Sequence, residues 1–253
     1  MKLLIFSITT LLASTAFAEG KWSHESELSI VTISGNAESE TTALKQTTKY
    51  AREKDSATVK AAYTEADALD TTTGQTETSA KSGSASLRYD RTIDNKLGGF
   101  ISHGVESDKF AGYTQKDISS LGLKYQISKR DDQEWNAELA YVRTTIDYVG
   151  VGLATEEEEV DSFKVATDYS KKVNESVTAG LKLSYEDAFA DAEGTSPGVP
   201  LYWATGEANL AVVMTSLLSL KVSYESKYQN FADNAPRQKR TDTTFTTALV
   251  AKF

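Results

Sequence analysis

An alternation of apolar and polar residues with a period of two runs from Trp22 to Phe253 and constrains the fold more than any other feature. It is clearest between Leu218 and Tyr228, where Leu, Val and Tyr alternate with Ser, Lys and Glu. Successive side chains of a strand point to opposite faces, so the pattern predicts strands with one apolar and one charged face. Helical periodicity is almost absent, and the three prolines fall in stretches that resemble loops. The sequence therefore predicts an all-β fold.

The same alternation recurs often enough to predict about twelve antiparallel strands. Many of these segments exceed the mean strand length of about 5 to 6 residues. Their lengths fit the roughly 9 to 11 residues that a tilted strand needs to cross a bilayer. The predicted strands are 22–34, 40–52, 57–67, 77–92, 97–107, 113–129, 134–147, 158–172, 176–188, 200–214, 218–230 and 240–253.

The predicted connections alternate between short and long. The short ones are 53–55, 93–96, 130–132, 173–175 and 215–217, and the longer or more irregular ones are 35–38, 68–75, 108–112, 150–157, 190–199 and 232–239. Short periplasmic turns and longer extracellular loops are typical of outer-membrane barrels. We therefore predict an up-and-down transmembrane β-barrel with both termini on the periplasmic side.

Aromatic residues gather at the ends of the predicted strands. Such residues form girdles at the two membrane interfaces of outer-membrane barrels. The general preference of aromatics for strands does not explain this bunching. The predicted periplasmic girdle comprises Tyr50, Tyr89, Tyr125, Trp135, Tyr169 and Phe253, and the predicted opposite girdle comprises Tyr63, Tyr141, Tyr185, Tyr202, Tyr224 and Tyr228.

The N-terminal segment predicts export. Lys2 precedes the apolar run Leu3–Leu12, and Ala16-Phe17-Ala18 has the small-x-small form of a cleavage site. The apolar run is far shorter than the roughly 20 residues of a membrane-spanning helix. We expect residues 1–18 to be a cleaved signal peptide and residues 19–253 to be one outer-membrane β-barrel domain.

Charge and cysteine content exclude several classes of protein. The net charge of −9 argues against nucleic acid as a partner, since phosphate binding requires clustered Lys and Arg. No cysteine is available for a disulfide framework or a lipid-modified N-terminus. A secreted β-sandwich would share the alternation, but open sheet edges cannot be satisfied in lipid, so a membrane sheet must close. The expected partners are outer-membrane lipid, lipopolysaccharide and, during biogenesis, the barrel-assembly machinery.

Barrel geometry predicts a narrow lumen of mixed charge. Twelve strands about 4.8 Å apart, tilted by about 40°, give a circumference of about 75 Å and a backbone diameter of about 24 Å. Side chains leave roughly 10 Å of this width at best, and pairing of opposite charges would narrow it further. The predicted lumen-lining residues are Glu27, Lys60, Arg88, Lys124, Glu138, Lys164, Asp168, Lys182, Glu186, Glu207, Lys221, Glu225, Lys227 and Asp242.

The search for catalytic chemistry predicts no catalytic site, metal site or cofactor. His24 and His103 are the only histidines. His24 lies at the periplasmic end, away from the outer rim where barrel enzymes place their base. The sequence leaves the face of His103 open, and Ser102 beside it points the other way. We interpret His103 as a lumen or packing residue.

Acidic residues in the predicted outer loops allow two interpretations. Glu156–Glu159, Glu65, Asp67 and Asp70 could bind divalent cations that bridge lipopolysaccharide phosphates, because oxygen ligands suit calcium and magnesium. Solvated surface charge is the interpretation that we favour.

Both ends of the mature chain resemble a family of Gram-negative outer-membrane proteins. Near the N-terminus the resemblance rests on Trp22, Leu28, Ile30 and Ser34-Gly35-Asn36. At the C-terminus it rests on Leu220–Glu225, Tyr228, Lys239–Thr244 and the terminal Phe253. This is domain of unknown function family 481, described as salt-induced outer-membrane proteins. The resemblance implies an outer-membrane barrel without an established substrate, and the terminal Phe resembles the signal that barrel-assembly machinery reads.

Three functional hypotheses follow from the sequence. The first is a non-enzymatic barrel that contributes to envelope integrity or stress adaptation. The second is a passive channel for ions or small solutes, because the inner face is polar. The third is an outer-membrane lipid-modifying or hydrolytic enzyme, which would require His103 to be aligned with an acid or a nucleophile. The sequence favours the first hypothesis.

Overall fold

The computed structural model describes residues 20–33, 39–70, 73–148, 157–189, 201–230 and 241–253. These residues form β-strands joined by turns, and none of them belongs to a helix. The all-β prediction is confirmed. The strands are β1 (Lys21–Ile33), β2 (Ser39–Ala51), β3 (Asp55–Asp70), β4 (Gln75–Thr92), β5 (Leu97–Asp108), β6 (Tyr113–Lys129), β7 (Gln133–Tyr148), β8 (Glu157–Lys172), β9 (Val177–Ala188), β10 (Tyr202–Val213), β11 (Leu218–Asn230) and β12 (Thr241–Lys252).

The twelve strands form one closed antiparallel barrel. Each strand pairs with its neighbours in sequence, and β12 returns to pair with β1, so the connectivity is up-and-down as predicted. The closing seam is short: its register runs from Glu25 opposite Lys252 to Leu28 opposite Leu249. The His24 N–H donates to the Phe253 carbonyl at 2.8 Å, and the Phe253 N–H donates to the His24 carbonyl at 3.1 Å. These bonds extend the seam to the last residue of the chain.

The strand boundaries follow the predicted ones closely, with a correction at the β3–β4 connection. A loop was predicted at 68–75, but β3 continues to Asp70 and β4 begins at Gln75. The register shifts at a β-bulge between Ala66 and Asp67, and the ladder continues beyond it to Asp70 opposite Gln75. The signal peptide predicted at 1–18, the Ser34–Asn36 turn and the loops predicted at 35–38, 190–199 and 232–239 lie outside the described residues. The loop predicted at 150–157 also lies outside them except for Glu157, which begins β8.

Side-chain oxygens close several of the short turns. In the β4–β5 turn Asp94 Oδ1 accepts the backbone N–H groups of Lys96 and Leu97 at 2.8 and 2.7 Å. These two donors stabilise the charged carboxylate and lower the pKa of Asp94. Asn174 Oδ1 makes the same contacts with Ser176 and Val177, both at 2.9 Å. Asp and Asn therefore specify these turns through bonds to their own backbone.

At the opposite rim, the β5–β6 turn uses a similar bond and a glycine. Asp108 Oδ1 accepts the N–H groups of Phe110 and Ala111 at 3.0 Å each. Gly112 then reverses the chain with a φ of 93°, a conformation that side chains with a Cβ rarely adopt. This tight turn brings β6 back beside β5.

The two faces of the wall differ as a membrane barrel requires. Large apolar side chains stand exposed on the outer face, as lipid contact demands, while the inner face carries most of the charges. A small buried apolar cluster of Phe100, Ala140 and Val142 with Ile118 lies on the inner face of β5–β7. The exposed outer residues include Leu28, Ile30, Val59, Leu87, Ile101, Leu121, Leu123, Leu139, Val165, Leu183, Leu210, Leu220, Phe245 and Leu249.

Candidate functional site

A salt bridge inside the barrel joins strands that are not neighbours. Arg88 on β4 donates from Nη1 and Nη2 to the two carboxylate oxygens of Glu138 on β7, at 3.0 and 2.7 Å. The same guanidinium donates to Asp90, with Nε at 2.9 Å from Oδ1. With strands spaced about 4.8 Å apart, the bridge spans three strand intervals of the wall. Arg88, Asp90, Glu138 and the adjacent Phe100 are called the Arg88 bridge below.

Phe100 supports the guanidinium from the wall between the two bridged strands. The Arg88 guanidinium carbon lies 3.8 Å from the Phe100 ring centroid, a cation–π contact. The ring fits there because residue 122 is glycine: a Cβ at that position would lie 2.6 Å from Phe100 Cζ. Gly122 thus lets the ring lie flat against β6, and the ring then positions Arg88.

Further ion pairs line the same inner face. Lys221 and Glu27 pair at 2.9 Å across β12, where Ala248 is small enough to leave them room. Lys182 pairs with Glu207 at 3.2 Å, and Lys164 pairs with Glu186 at 3.4 Å. All three pairs are partly covered, and each charge has an opposite partner. Paired charges are what a partly desolvated interior tolerates.

The strand register places all fourteen predicted lumen residues on the inner face, along the alternation that contains Arg88 and Glu138. Besides the pairs above, Asp168 accepts a hydrogen bond from Asn136 Nδ2 at 3.0 Å, and Lys227 pairs with Glu225 at 3.0 Å. Asp242 stands opposite Lys227, and Lys124 stands opposite Glu138. Among the described residues no carboxylate lies within ion-pair distance of Lys60 or Lys124. The Arg88 bridge spans non-neighbouring strands, whereas most other pairs join adjacent strands.

A cavity of about 840 Å³ occupies the periplasmic part of the lumen. It begins at the turn residues Arg52, Glu53 and Lys54 and extends inward to Arg88 and Glu138. Eleven Lys or Arg and eight Asp or Glu residues contribute to its wall. We call it the periplasmic cavity.

Four inner-face residues of β7 and β8 nearer the outer rim are buried. Val142 is 1% exposed and Ser162, directly opposite it on β8, is 0% exposed. Val160 and Thr144 form the next pair and are also buried. Other side chains therefore cover this part of the wall, whereas the side chain of Lys227, on the inner face of β11, is 62% exposed.

The aromatic residues predicted at the periplasmic girdle all lie on the outer face, close to the short turns. The Trp22 and Tyr50 rings contact each other at a tilt with centroids 4.8 Å apart, and the His24 and Phe253 rings are 5.8 Å apart. Trp135 contacts Tyr169 edge-on at 6.3 Å. Tyr89 and Tyr125 are exposed on the same face. Towards the other rim, Tyr185, Tyr202 and Tyr228 form a continuous row with 5.7 Å between successive rings.

The two histidines lie on the outer face. His24 accepts or donates one hydrogen bond with Thr48 at 3.1 Å, at the periplasmic end. Side chains alternate between the two faces of β5, and the register places His103 on the outer face. His103 is therefore not a lumen residue. Its Nδ1 lies 3.0 Å from Ser119 Oγ, but its Nε2 is 3.7 Å from Asp117 Oδ1, too far for a hydrogen bond. A Ser–His pair is present, without an acid bonded to the histidine.

The acidic residues expected in outer loops include several that lie in strands. Glu65 and Asp67 are part of β3, and Glu157–Glu159 open β8. Glu65 accepts a hydrogen bond from Tyr63 and pairs with Lys81 at 3.5 Å, while Glu159 pairs with Arg143. Within the described part of the chain, no group of three or more His, Cys, Asp or Glu residues could hold a metal ion. Glu156 and the Asp70 side chain lie outside the description.

Several residues of the site were absent from the predicted set. Phe100 was missed because Gly98-Gly99 interrupts the alternation of β5, so that the sequence does not fix which face Phe100 occupies. Asn136 is 1% exposed and binds Asp168, yet a lone Asn in an alternating strand gives no special signal. Lys49 shares the inner face, and the alternation of β2 could have identified it.

Comparisons with solved structures concern the fold. The COG4313 outer membrane channel from Pseudomonas putida F1 is similar with a TM-score of 0.59, 9% identity, and coverage of 94% of this chain and 97% of the other. The translocator domain of the autotransporter NalP from Neisseria meningitidis has a TM-score of 0.48, 12% identity, and coverage of 94% and 89%. No curated protein matches the sequence.

The family comparison covers nearly the whole barrel. The model of the family described as "Protein of unknown function, DUF481" matches residues 26–253. This span includes most of β1 and all of β2–β12, so the earlier resemblance is confirmed. The chain is a twelve-stranded β-barrel with a fold similar to that of outer-membrane barrels, and it belongs to the DUF481 family.

Proposed function

We propose that this protein is a non-enzymatic envelope barrel whose lumen is narrow and closed at the Arg88 bridge. The single observation that carries the proposal is the two-bond contact between Arg88 and Glu138 across three strand intervals. Such bidentate, charge-assisted contacts are short, directional and stronger than bonds between neutral groups.

The covered inner face supports the same proposal. Val142 and Ser162 are almost fully buried on the side of the bridge towards the outer rim. This burial agrees with a chamber that is closed at its inner end. Closure explains how a barrel of this size could sit in the outer membrane without leaking ions.

A bilayer recording tests closure. Purified wild-type protein should give no stable, large single-channel currents. Arg88→Ala should give resolvable currents, because Glu138 and Asp90 lose the cation that holds them together and then repel each other. Folding of each variant is checked first by the different gel migration of boiled and unboiled samples.

Arg143→Ala is the matched control for this recording. Arg143 also pairs with a carboxylate, that of Glu159, but it lies on the outer face. Its removal changes the net charge equally and should leave the protein non-conducting. Stable large currents from the wild type would overturn the proposal, as would equal behaviour of the two arginine variants.

A passive channel is the second candidate, and the periplasmic cavity is the observation that favours it. The cavity already reaches the periplasmic turns, and the similar fold from Pseudomonas putida is an outer membrane channel. If the wild type conducts, Lys221→Glu should change its ion selectivity, since Lys221 lies on the inner face beside Glu27. Unchanged selectivity would count against the channel.

A further inference from the structure

The periplasmic cavity has a charge that differs in sign from that of the whole chain. Its wall has an excess of three cationic side chains, eleven Lys or Arg against eight Asp or Glu, whereas the whole sequence has a net charge of −9. A low-dielectric wall of one dominant sign focuses its field into the enclosed space and concentrates ions of the other sign. The cavity therefore favours anions.

Several cationic side chains of the cavity wall form no salt bridge with a described carboxylate. Among the described residues, no carboxylate lies within ion-pair distance of Lys49, Lys60 or Lys124, although all three contribute to the cavity wall. Most carboxylates of the wall already have a donor: Asp90 and Glu138 bind Arg88, and Glu207 binds Lys182. Ammonium donors are therefore available to a ligand, while competing acceptors are occupied.

The register brings three of the cations together. Lys49 stands opposite Thr58, and Thr58 stands opposite Arg88, so Lys49 on β2 and Arg88 on β4 flank β3 at one level. Lys60 is the next inward residue of β3, diagonal to both, and diagonal neighbours are within reach of long side chains. Lys60 also lies within electrostatic range of Lys182. The carboxylates within range of Lys60, Glu138 and Asp90, already bind Arg88.

We propose that the periplasmic cavity binds a small water-soluble phosphorylated anion, with Lys49, Lys60 and Lys124 as its ammonium donors. This assignment deepens the proposed function, on which it rests, because a chamber closed at the Arg88 bridge retains a ligand that enters from the periplasm. A phosphate group suits the site, since it accepts several hydrogen bonds and carries more than one negative charge, and lysine binds it as a point charge. The continuous wall keeps lipid chains out, so a soluble solute is preferred to a lipid headgroup.

Calorimetry on the whole folded barrel in non-ionic detergent tests the assignment. The probes are inorganic phosphate and glycerol 3-phosphate, with glycerol as the uncharged comparison. The wild type should bind both anions, more weakly as salt is added, and should not bind glycerol. The variant K49Q/K60Q/K124Q should bind them about tenfold or more weakly, a loss of roughly 1.4 kcal/mol or more.

The control variant K45Q/K81Q/K116Q removes the same charge from three lysines that do not contribute to the cavity, and Glu65, the ion-pair partner of Lys81, does not contribute to it either. It should retain wild-type affinity. Absence of phosphate binding by the wild type, or equal losses in the two triple variants, would overturn the assignment. So would binding to phosphatidylglycerol micelles in preference to glycerol 3-phosphate. These results are independent of conductance, so an open wild-type pore would refute closure without deciding the anion site.

Discussion

Arginine in place of Val165 is expected to destabilise the barrel by about 2–4 kcal/mol, the cost of a cationic side chain on the lipid face near the bilayer midplane. Val165 lies at the middle of β8, is 46% exposed, and stands opposite Leu139 on β7, which is also exposed. An arginine there has lipid on one side and apolar neighbours on the other. Urea unfolding in lipid vesicles, followed by tryptophan fluorescence, measures the loss.

The matched control is the next residue along the same strand. Ala166 lies on the inner face and contributes to the wall of the periplasmic cavity, so an arginine at that position extends into water. Ala166→Arg should cost within about 1 kcal/mol, because the new cation is solvated in the cavity and stands opposite the carboxylate of Glu138. Similar losses in the two variants would mean that the outer face of β8 does not contact lipid, and the membrane assignment would then fail at this strand.

Much of the fold could be predicted because it depends on local patterns. Alternation along each segment reports which side chains share a face, and turn residues such as Asp94 and Asn174 act on backbone groups two or three positions away. Up-and-down connectivity then follows, because consecutive antiparallel strands joined by short turns must pair. The β3–β4 connection deviated: the paired strands continue past a β-bulge, where the register shifts and the alternation in the sequence no longer shows the pairing.

For the site, the sequence could predict only which residues lie on the inner face of the barrel. Which charged side chains form ion pairs depends on the stagger of the strands and on the curvature of the closed wall. Neither can be predicted from the sequence of a single strand. Arg88 and Glu138 are fifty positions apart, and their contact also needs Gly122 to make room for Phe100. The excess of unpaired lysines in the cavity likewise emerged only when each carboxylate was assigned its partner.

Deleting Phe253 is expected to lower stability by about 2–4 kcal/mol, because the closing seam has few bonds to lose. Two backbone hydrogen bonds with His24 disappear, each with a net value of about 0.5–1.5 kcal/mol. The aromatic contact with the His24 ring disappears as well, with a value of about 0.5–1.5 kcal/mol. The seam register covers four residue pairs, whereas β1 and β2 pair along thirteen. In cells we expect a correspondingly smaller heat-modifiable outer-membrane fraction.

The variant Phe253→Ala distinguishes the stability contributed by the backbone hydrogen bonds of Phe253 from that contributed by its ring. Alanine keeps both hydrogen bonds with His24 and loses only the ring contacts, so it should show about half the loss of the deletion or less, measured by urea unfolding in vesicles. If Phe253→Ala folds normally in vesicles but fails to assemble in cells, the ring serves recognition by the assembly machinery rather than seam strength. A deletion variant as stable as the wild type would show that β1 and β12 close the barrel without the terminal residue.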